Sequence, residues 1–421
     1  MSSQEVVITG VGVVSPIGIG REPFWESLRS ARSGIRRLES FDDSPLGPVI
    51  AGEVSDFDPK QYVRPRKSLK VMSRDGQFAV TASDLACTEA GLTEETVDPD
   101  RFGVVFGADR IRNDLDEVAD TYRACFVEGE FDIRQWGTAG LAGTFPLLML
   151  KNLPNMLASH VSILRDARGP NNTLHLASVS SLLAIAEGVS VIQRGAADVV
   201  LAGAASSRMH PIDWARARIT RQLSPEHASP AAVVRPFDLH RTGEVRGEGA
   251  GAFLLERRAF AEARGATILA RVVGWGSSYE KRLNGRAPDG SGLARAIRTA
   301  LTSSQVAPRE LGHVNAHGLS TRLDDRLEAQ ALAETVPDVP VTALKSYFGN
   351  LGPGSGAVEL AASILAFAAN WVPPTLNYDQ RDPDCPLNVV AGAGLAGAAP
   401  LALLVNQNVS GQAAALVIGA P

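Results

Sequence analysis

The apolar positions in the first half of the chain form short runs separated by helical stretches. Runs rich in β-branched residues at 6–10, 103–107 and 198–203 each end in glycine, which is typical of buried strands. Residues 179–193, ahead of the third run, carry Leu, Ala and Ile over a length that favours a helix. This alternation of strand, turn, helix and strand predicts parallel crossover units.

The second half repeats the alternation. Strands are predicted at residues 268–274 and 313–316, and helices at residues 292–303 and 357–369. The likeliest joint follows residue 252, so we predict an N-terminal half at 1–255 and a C-terminal half at 256–421. Because no Pro- or Ser-rich linker separates them, the halves are expected to be packed subdomains.

Composition and charge narrow the class of protein. Hydrophobic residues make up 45% and charged residues 21% of the chain, as in a globular protein. A net charge of −5 argues against a nucleic-acid binder, and no apolar run reaches the roughly 18 residues of a membrane span. Cys87, Cys125 and Cys385 lack metal-type spacing and are interpreted as reduced thiols. With no secretory signal visible, we expect a cytoplasmic protein, and the absence of metal, nucleotide or flavin motifs predicts no cofactor.

Several motifs spread along the chain carry a resemblance to a known family. In order they are VVITGVGVVSPIG at 6–18, NMLASH at 155–160, RGP at 168–170, RPFD at 235–238, GEGAG at 247–251, VNAHG at 314–318, KS at 345–346 and PPTLN at 373–377. The ordered set resembles the elongating β-ketoacyl-ACP synthases of fatty-acid and polyketide synthesis. That resemblance implies an α/β, thiolase-like fold with a duplicated αβαβα layered arrangement, and normally a dimer.

Ser178 stands at the position that the resemblance assigns to the family's nucleophilic Cys. In the family a helix begins there, and its dipole favours a thiolate. A serine hydroxyl is far harder to ionise, and helix-end stabilisation of roughly 0.3–1 kcal/mol cannot close a gap of several pKa units at about 1.36 kcal/mol each. Ser178 is expected either to fill the turn or, with a positioned base, to accept an acyl group.

The two histidine positions of the family are only half preserved. His317 matches the first, whereas Asn350 stands where the second is expected, and an amide cannot transfer a proton. Initiating synthases and plant-type polyketide synthases on the same fold use Cys, His and Asn. Ser178, His317 and Asn350 would form a Ser version of that set, and a purely structural His317 is the alternative.

The resemblance also implies a charged network and a loop that gates the acyl pocket. Lys345, Glu328 and Glu359 match the residues that support the histidines, and a structural role is favoured because burying unpaired charge is costly. Asn408 and Ser410 occupy the places where the family's glycine-rich loop carries Phe. A swinging loop needs glycines and a bulky plug, so the gate is predicted to be lost.

A basic cluster in the first half suggests a surface for a partner. The cluster consists of Arg64, Arg66, Lys67, Lys70 and Arg74. It could dock an acidic acyl carrier protein electrostatically, through Arg66, Lys67 and Lys70 in particular. The same residues could equally form a solvated helix face.

The leading hypothesis is a β-ketoacyl-ACP synthase homologue that has lost condensation and pairs with a Cys-bearing ketosynthase, as chain-length factors of type II polyketide systems do. Apolar residues 145–150 and 156–163 are interpreted as part of the implied dimer interface. Because chain-length factors usually carry Gln at the Cys position, a homodimer with another binding role stays open. The alternatives are an acyltransferase or thioester hydrolase using Ser178, His317 and Asn350, and a weakly active condensing enzyme.

Overall fold

The computed structural model describes residues 5–39, 45–93, 95–220, 223–225, 228–280 and 288–421. The strands are β1 Val6–Ser15, β2 Gly18–Ile19, β3 Ile35–Arg37, β4 Ile50–Gly52, β5 Phe102–Gly107, β6 Phe126–Val127, β7 Glu130–Phe131, β8 Asn171–Leu174, β9 Val199–Ser207, β10 Arg246–Arg257, β11 Ala270–Tyr279, β12 His313–Asn315, β13 Pro340–Thr342, β14 Trp371–Val372, β15 Asn388–Val389, β16 Leu395–Ala396, β17 Leu401–Gln407 and β18 Gln412–Gly419. The helices are α1 Arg21–Arg29, α2 Arg74–Glu89, α3 Leu115–Arg123, α4 Leu148–Asn152, α5 Met156–Arg165, α6 Ser180–Gln193, α7 Pro211–Thr220, α8 Arg258–Ala263, α9 Ser291–Ser304, α10 Arg322–Thr335, α11 Lys345–Phe348 and α12 Pro353–Ala369.

One arrangement of strands occurs twice in the main sheet. From the centre outward, the first half runs β1, β10, β9, β5, β8, and the second half runs β11, β18, β17, β12, β13. In both halves the two inner pairings are antiparallel and the two outer pairings are parallel. The halves meet where β1 pairs with β11. This repetition is the duplicated topology that the resemblance implies.

Two helices form the central layer between the halves. Helices α6 and α12 are buried over most of their length, and their apolar residues share one core with those of β1, β9 and β10. A helix that is apolar on all sides needs cover on all sides. Helix α2 covers the outer face of the first half, and α9 and α10 cover that of the second. The result is an α-β-α-β-α stack.

Small residues let the outer helix approach the sheet closely. A Cβ at Gly12 would lie 1.8 Å from the carbonyl oxygen of Ala82 in α2, so only glycine fits at this point of β1. Strand β1 passes through this glycine and ends at Ser15, beyond the run predicted at residues 6–10. Helix α12 likewise starts earlier than predicted, because Pro353 is accepted in its first turn.

Two further sequence-based expectations concern the chain as a whole. Strand β10 runs from Arg246 through Arg257, so it crosses the position proposed for the division between halves, and that division stays a prediction. Among the helices of the described ranges, none combines the length and the apolar character needed to cross a bilayer.

Candidate active site

The Ser178 position lies on a tight turn that leads into the central helix α6. Ala177 adopts a left-handed backbone conformation with φ of 52°, and residues Ala177–Val179 form a single 3₁₀ turn. Positive φ at a residue other than glycine is strained and is found where surrounding structure enforces it. Ser178 is 6% exposed, and its hydroxyl makes no hydrogen bond within the part of the chain that the structure describes. The turn thus presents a small, unengaged hydroxyl at the start of a helix.

His317 follows β12 and is held by donors on one ring nitrogen. Its Nδ1 lies 3.2 Å from Lys345 Nζ and 3.4 Å from Asn406 Nδ2. An ammonium group and an amide NH₂ can only donate, so Nδ1 acts as the acceptor. These contacts favour the neutral tautomer that carries its proton on Nε2.

Lys345 and Glu359 form a fully buried ion pair beside this histidine. Both side chains are 1% exposed, and Lys345 Nζ lies 2.5 Å from Glu359 Oε1. The same ammonium donates to the His317 carbonyl oxygen at 2.6 Å. Asn406 Nδ2 donates to the second Glu359 oxygen at 3.0 Å. Lys345 and Asn406 contact the imidazole, and Glu359 holds both of them, so the network positions His317.

Glu328 joins the site through the backbone. Its two carboxylate oxygens accept the amide protons of His317 and Gly318 at 2.6 and 2.8 Å. Burial raises the pKa of Glu328 to about 8, and these two amide hydrogen bonds oppose that shift. Of the two carboxylates that the sequence associates with Lys345, Glu359 pairs with it directly, and Glu328 fixes the loop on which His317 lies.

Asn350 is anchored on both sides of its amide. Its Nδ2 donates to Glu244 Oε2 at 2.8 Å, and its Oδ1 accepts from the Gly352 amide at 3.0 Å. Its backbone also bridges to the start of β10, through Val245 and Gly247. These hydrogen bonds fix the turn between α11 and α12, and the hydroxyl of Ser178 is not among their partners.

The residues at the predicted gate form a closed turn between β17 and β18. Asn408 Oδ1 accepts from the amides of Ser410 and Gln412 at 3.0 and 3.2 Å. Asn408 Nδ2 donates to the Leu176 carbonyl oxygen at 3.1 Å, which ties this turn to the one that carries Ser178. A side chain with this many hydrogen bonds holds a loop in place, whereas a gating Phe moves.

Two buried polar residues of the site were missed by sequence reasoning. Asn406 is 1% exposed and contacts both His317 and Glu359. Glu244 is also 1% exposed and binds Asn350. Asn406 could have been noticed in the sequence as a polar residue near the end of the apolar run that forms β17. Glu244 could have been noticed as a carboxylate in the segment around GEGAG, whose other residues are mostly buried.

The members of the predicted basic cluster differ in their surroundings. Arg66, Lys67 and Lys70 are exposed on a 3₁₀ helix at Arg66–Val71. Arg74 instead turns inward, with Nη2 2.6 Å from the buried Glu248 carboxylate and its guanidinium 4.8 Å from the Phe78 ring centroid. The buried carboxylate competes for the charge of Arg74, and the place of Arg74 in a docking surface stays a prediction.

The chain is similar to one family along most of its length. The family described as Beta-ketoacyl synthase, N-terminal domain, matches residues 3–261, and Beta-ketoacyl synthase, C-terminal domain, matches residues 269–379. Among curated relatives, 3-oxoacyl-acyl-carrier-protein synthase 2 of Synechocystis sp. is 33% identical over 93% of this chain and 92% of its own.

Solved structures with the same fold include the ishigamide ketosynthase/chain length factor, with a TM-score of 0.87, 30% identity and coverage of 100% of both chains. Another is a type II PKS acyl-carrier protein in complex with its ketosynthase bound to the hexaketide, with a TM-score of 0.82, 27% identity and coverage of 99% of each chain. The predicted α/β, thiolase-like fold is confirmed.

Proposed function

This chain belongs to the β-ketoacyl synthase family of polyketide and fatty-acid biosynthesis, and we propose that it is a non-condensing subunit that partners a Cys-bearing ketosynthase. The observation that carries the proposal is the Ser178 hydroxyl, which stands at the nucleophile turn with no hydrogen-bonded base among the described residues. A serine becomes a nucleophile only when a neighbouring base takes its proton.

The contacts of His317 disfavour it as that base. Its Nδ1 faces two donor groups, those of Lys345 and Asn406, so Nδ1 is engaged as an acceptor. A proton on Nε2 would let that nitrogen donate a hydrogen bond and stabilise negative charge, rather than take a proton from Ser178. A cysteine at this turn would need less help, because a thiol ionises several pKa units lower than a hydroxyl.

Two further positions that differ from the family's pattern also support a non-condensing subunit. Asn350 is bound to Glu244 and Gly352, so its amide is already engaged in holding a turn. Asn408 fixes the loop between β17 and β18 against Leu176. Together these contacts favour a scaffold that keeps its shape over a site that opens and closes during turnover.

An exposed sheet edge and an apolar patch support pairing with a second ketosynthase-type chain. Strand β8 ends the main sheet, and Asn171 and Asn172 are exposed on it. Of the segments predicted for the interface, 145–150 exposes several large apolar side chains, whereas 156–163 mostly packs inward through Leu157 and Val161 and exposes Ile163. Uncovered strand edges and large exposed apolar patches mark sites of association.

Arg66, Lys67 and Lys70 are proposed as the docking site for an acyl carrier protein. They are exposed on one short 3₁₀ helix of a chain whose net charge is −5, so they form a local positive patch. Such a patch would attract an acidic carrier and raise its association rate.

Intact-protein mass spectrometry with a panel of acyl-ACP and acyl-CoA thioesters tests the proposal. We expect no adduct on the wild type or on Ser178→Ala, and an acyl adduct on Ser178→Cys, which serves as the positive control for an intact pocket. An adduct on the wild type that disappears in Ser178→Ala would instead establish the acyltransferase or hydrolase alternative. Condensation with malonyl-ACP by the wild type would establish a weakly active synthase.

A second experiment tests the partnership. Co-expression with a Cys-bearing ketosynthase should yield a complex of one copy of each chain, measured by size-exclusion chromatography with light scattering. Replacing Met149 and Leu150 by Asp should disrupt it. A stable homodimer that persists beside the ketosynthase would favour the homodimeric alternative.

A further inference from the structure

A cavity of about 360 Å³ adjoins the Ser178 turn, with Ala177 and Val409 in its wall. Its lining is strongly cationic. Five arginines face it against two carboxylates, Asp109 and Asp213; the arginines are Arg110, Arg112, Arg208, Arg216 and Arg246. Such a lining favours a ligand that carries negative charge, because an anion supplies acceptors to guanidinium groups that are partly removed from water.

The two aspartates, together with Glu244 at 4.0 Å from Arg246, satisfy only part of this charge. Arg112 donates to Asp213 Oδ1 through two nitrogens, at 3.1 and 2.9 Å. Arg208 lies 3.9 Å from Asp109, and its Nη1 is buried without a hydrogen-bond partner among the described residues. A buried donor without an acceptor costs free energy, which a bound anion would recover.

Arg208 lies close to the candidate active site. A Cβ at Gly352 would lie 3.1 Å from Arg208 Nε, so the guanidinium packs directly on the turn that Asn350 anchors. Arg110 and Arg216 are exposed at the cavity, and neither forms an ion pair with any residue in the described ranges. One largely buried arginine and two exposed ones therefore present guanidinium groups to the same cavity.

We propose that this cavity binds a small oxyanion, a carboxylate or a phosphate group, through Arg208 with Arg110 and Arg216. Planar guanidinium groups donate two parallel hydrogen bonds to either group. Its ligand would place a negative charge beside the Ser178 turn. This inference goes beyond the proposed function and does not depend on whether Ser178 is acylated.

Isothermal titration of the purified chain with inorganic phosphate, and separately with glutarate, tests the proposal at constant ionic strength set with sodium chloride. We expect saturable binding of at least one probe. Tighter binding of phosphate would identify a phosphate-bearing ligand, and tighter binding of glutarate would identify a carboxylate-bearing one. No saturable binding of either probe would overturn the proposal.

Substitutions locate the site. Arg208→Gln and Arg216→Gln should each weaken binding by about tenfold, since a hydrogen bond to a charged group carries that much affinity. The matched control is Arg309→Gln, an exposed arginine in the other half of the chain, which should bind as the wild type does. Arg216 is exposed on α7, so its variant should fold even if Arg208→Gln does not. Equal loss in the Arg309 variant, or none in the Arg216 variant, would refute the assignment.

Discussion

Replacing Lys345 by Met tests whether the buried charged network is structural. The substitution removes an ammonium that contacts Glu359, the His317 carbonyl and His317 Nδ1 at 2.5, 2.6 and 3.2 Å. Glu359, 1% exposed, would keep only the Asn406 amide as a partner on its second oxygen. Removing one member of a buried ion pair costs about 3–5 kcal/mol, because the remaining charge stays buried.

The double variant Lys345→Met/Glu359→Gln separates the pair from its environment. Once neither residue is charged, the penalty for burying an unpaired charge disappears. We therefore expect the double variant to lose about 1–3 kcal/mol less unfolding free energy than Lys345→Met and Glu359→Gln lose together. Urea unfolding followed by circular dichroism measures the two single variants and the double variant. The control is Arg123→Met, whose partner Asp120 is 84% exposed and whose own side chain is 76% exposed, so it should cost under about 1 kcal/mol.

Two results would refute this reasoning. A loss below about 1 kcal/mol for Lys345→Met would mean that Glu359 is neutral or reaches water when alone. Additive losses in the double variant would mean that the two charges do not interact.

Three further predictions follow from burial and close packing. Burial raises the pKa of Asp75 from 3.8 to about 7, so the folded state keeps a proton that the unfolded chain releases. Stability should therefore fall as pH rises from about 4 to 7, and Asp75→Asn should flatten that slope in urea unfolding at pH 5 and 7.5. An equal slope in both proteins would contradict the assignment. Gly356→Ala should lower the yield of soluble, folded protein, because the added Cβ would lie 2.0 Å from Asn406 Oδ1. The control Gly137→Ala should fold normally, because a Cβ at Gly137 would meet open space. All three cysteines are buried, so Ellman's reagent should label none in the folded protein and all three in urea. Rapid labelling of the folded protein would count against the described packing.

The interior of the site could be anticipated only in part. The positions of Lys345 and Glu359 follow from the resemblance, and burial explains why such charges must pair. Asn350 was expected beside Ser178 and His317, yet its hydrogen bonds go to Glu244 and Gly352. Asn408 was expected to mark only a lost Phe, yet it ties two turns together. In each case a polar side chain was identified by position, but its partner was set by the three-dimensional arrangement.

The sequence by itself determined the fold class and the family, because apolar runs of strand length, a long apolar helix and an ordered set of motifs are local properties of the chain. It also predicted that Ser178 stands at the position of the family's nucleophilic Cys. Only the tertiary structure decided which groups contact His317 Nδ1 and that Arg110, Arg208 and Arg216 gather around one cavity. Those features join residues far apart in the chain, and hydrogen-bond geometry and burial exist only once the layers have packed.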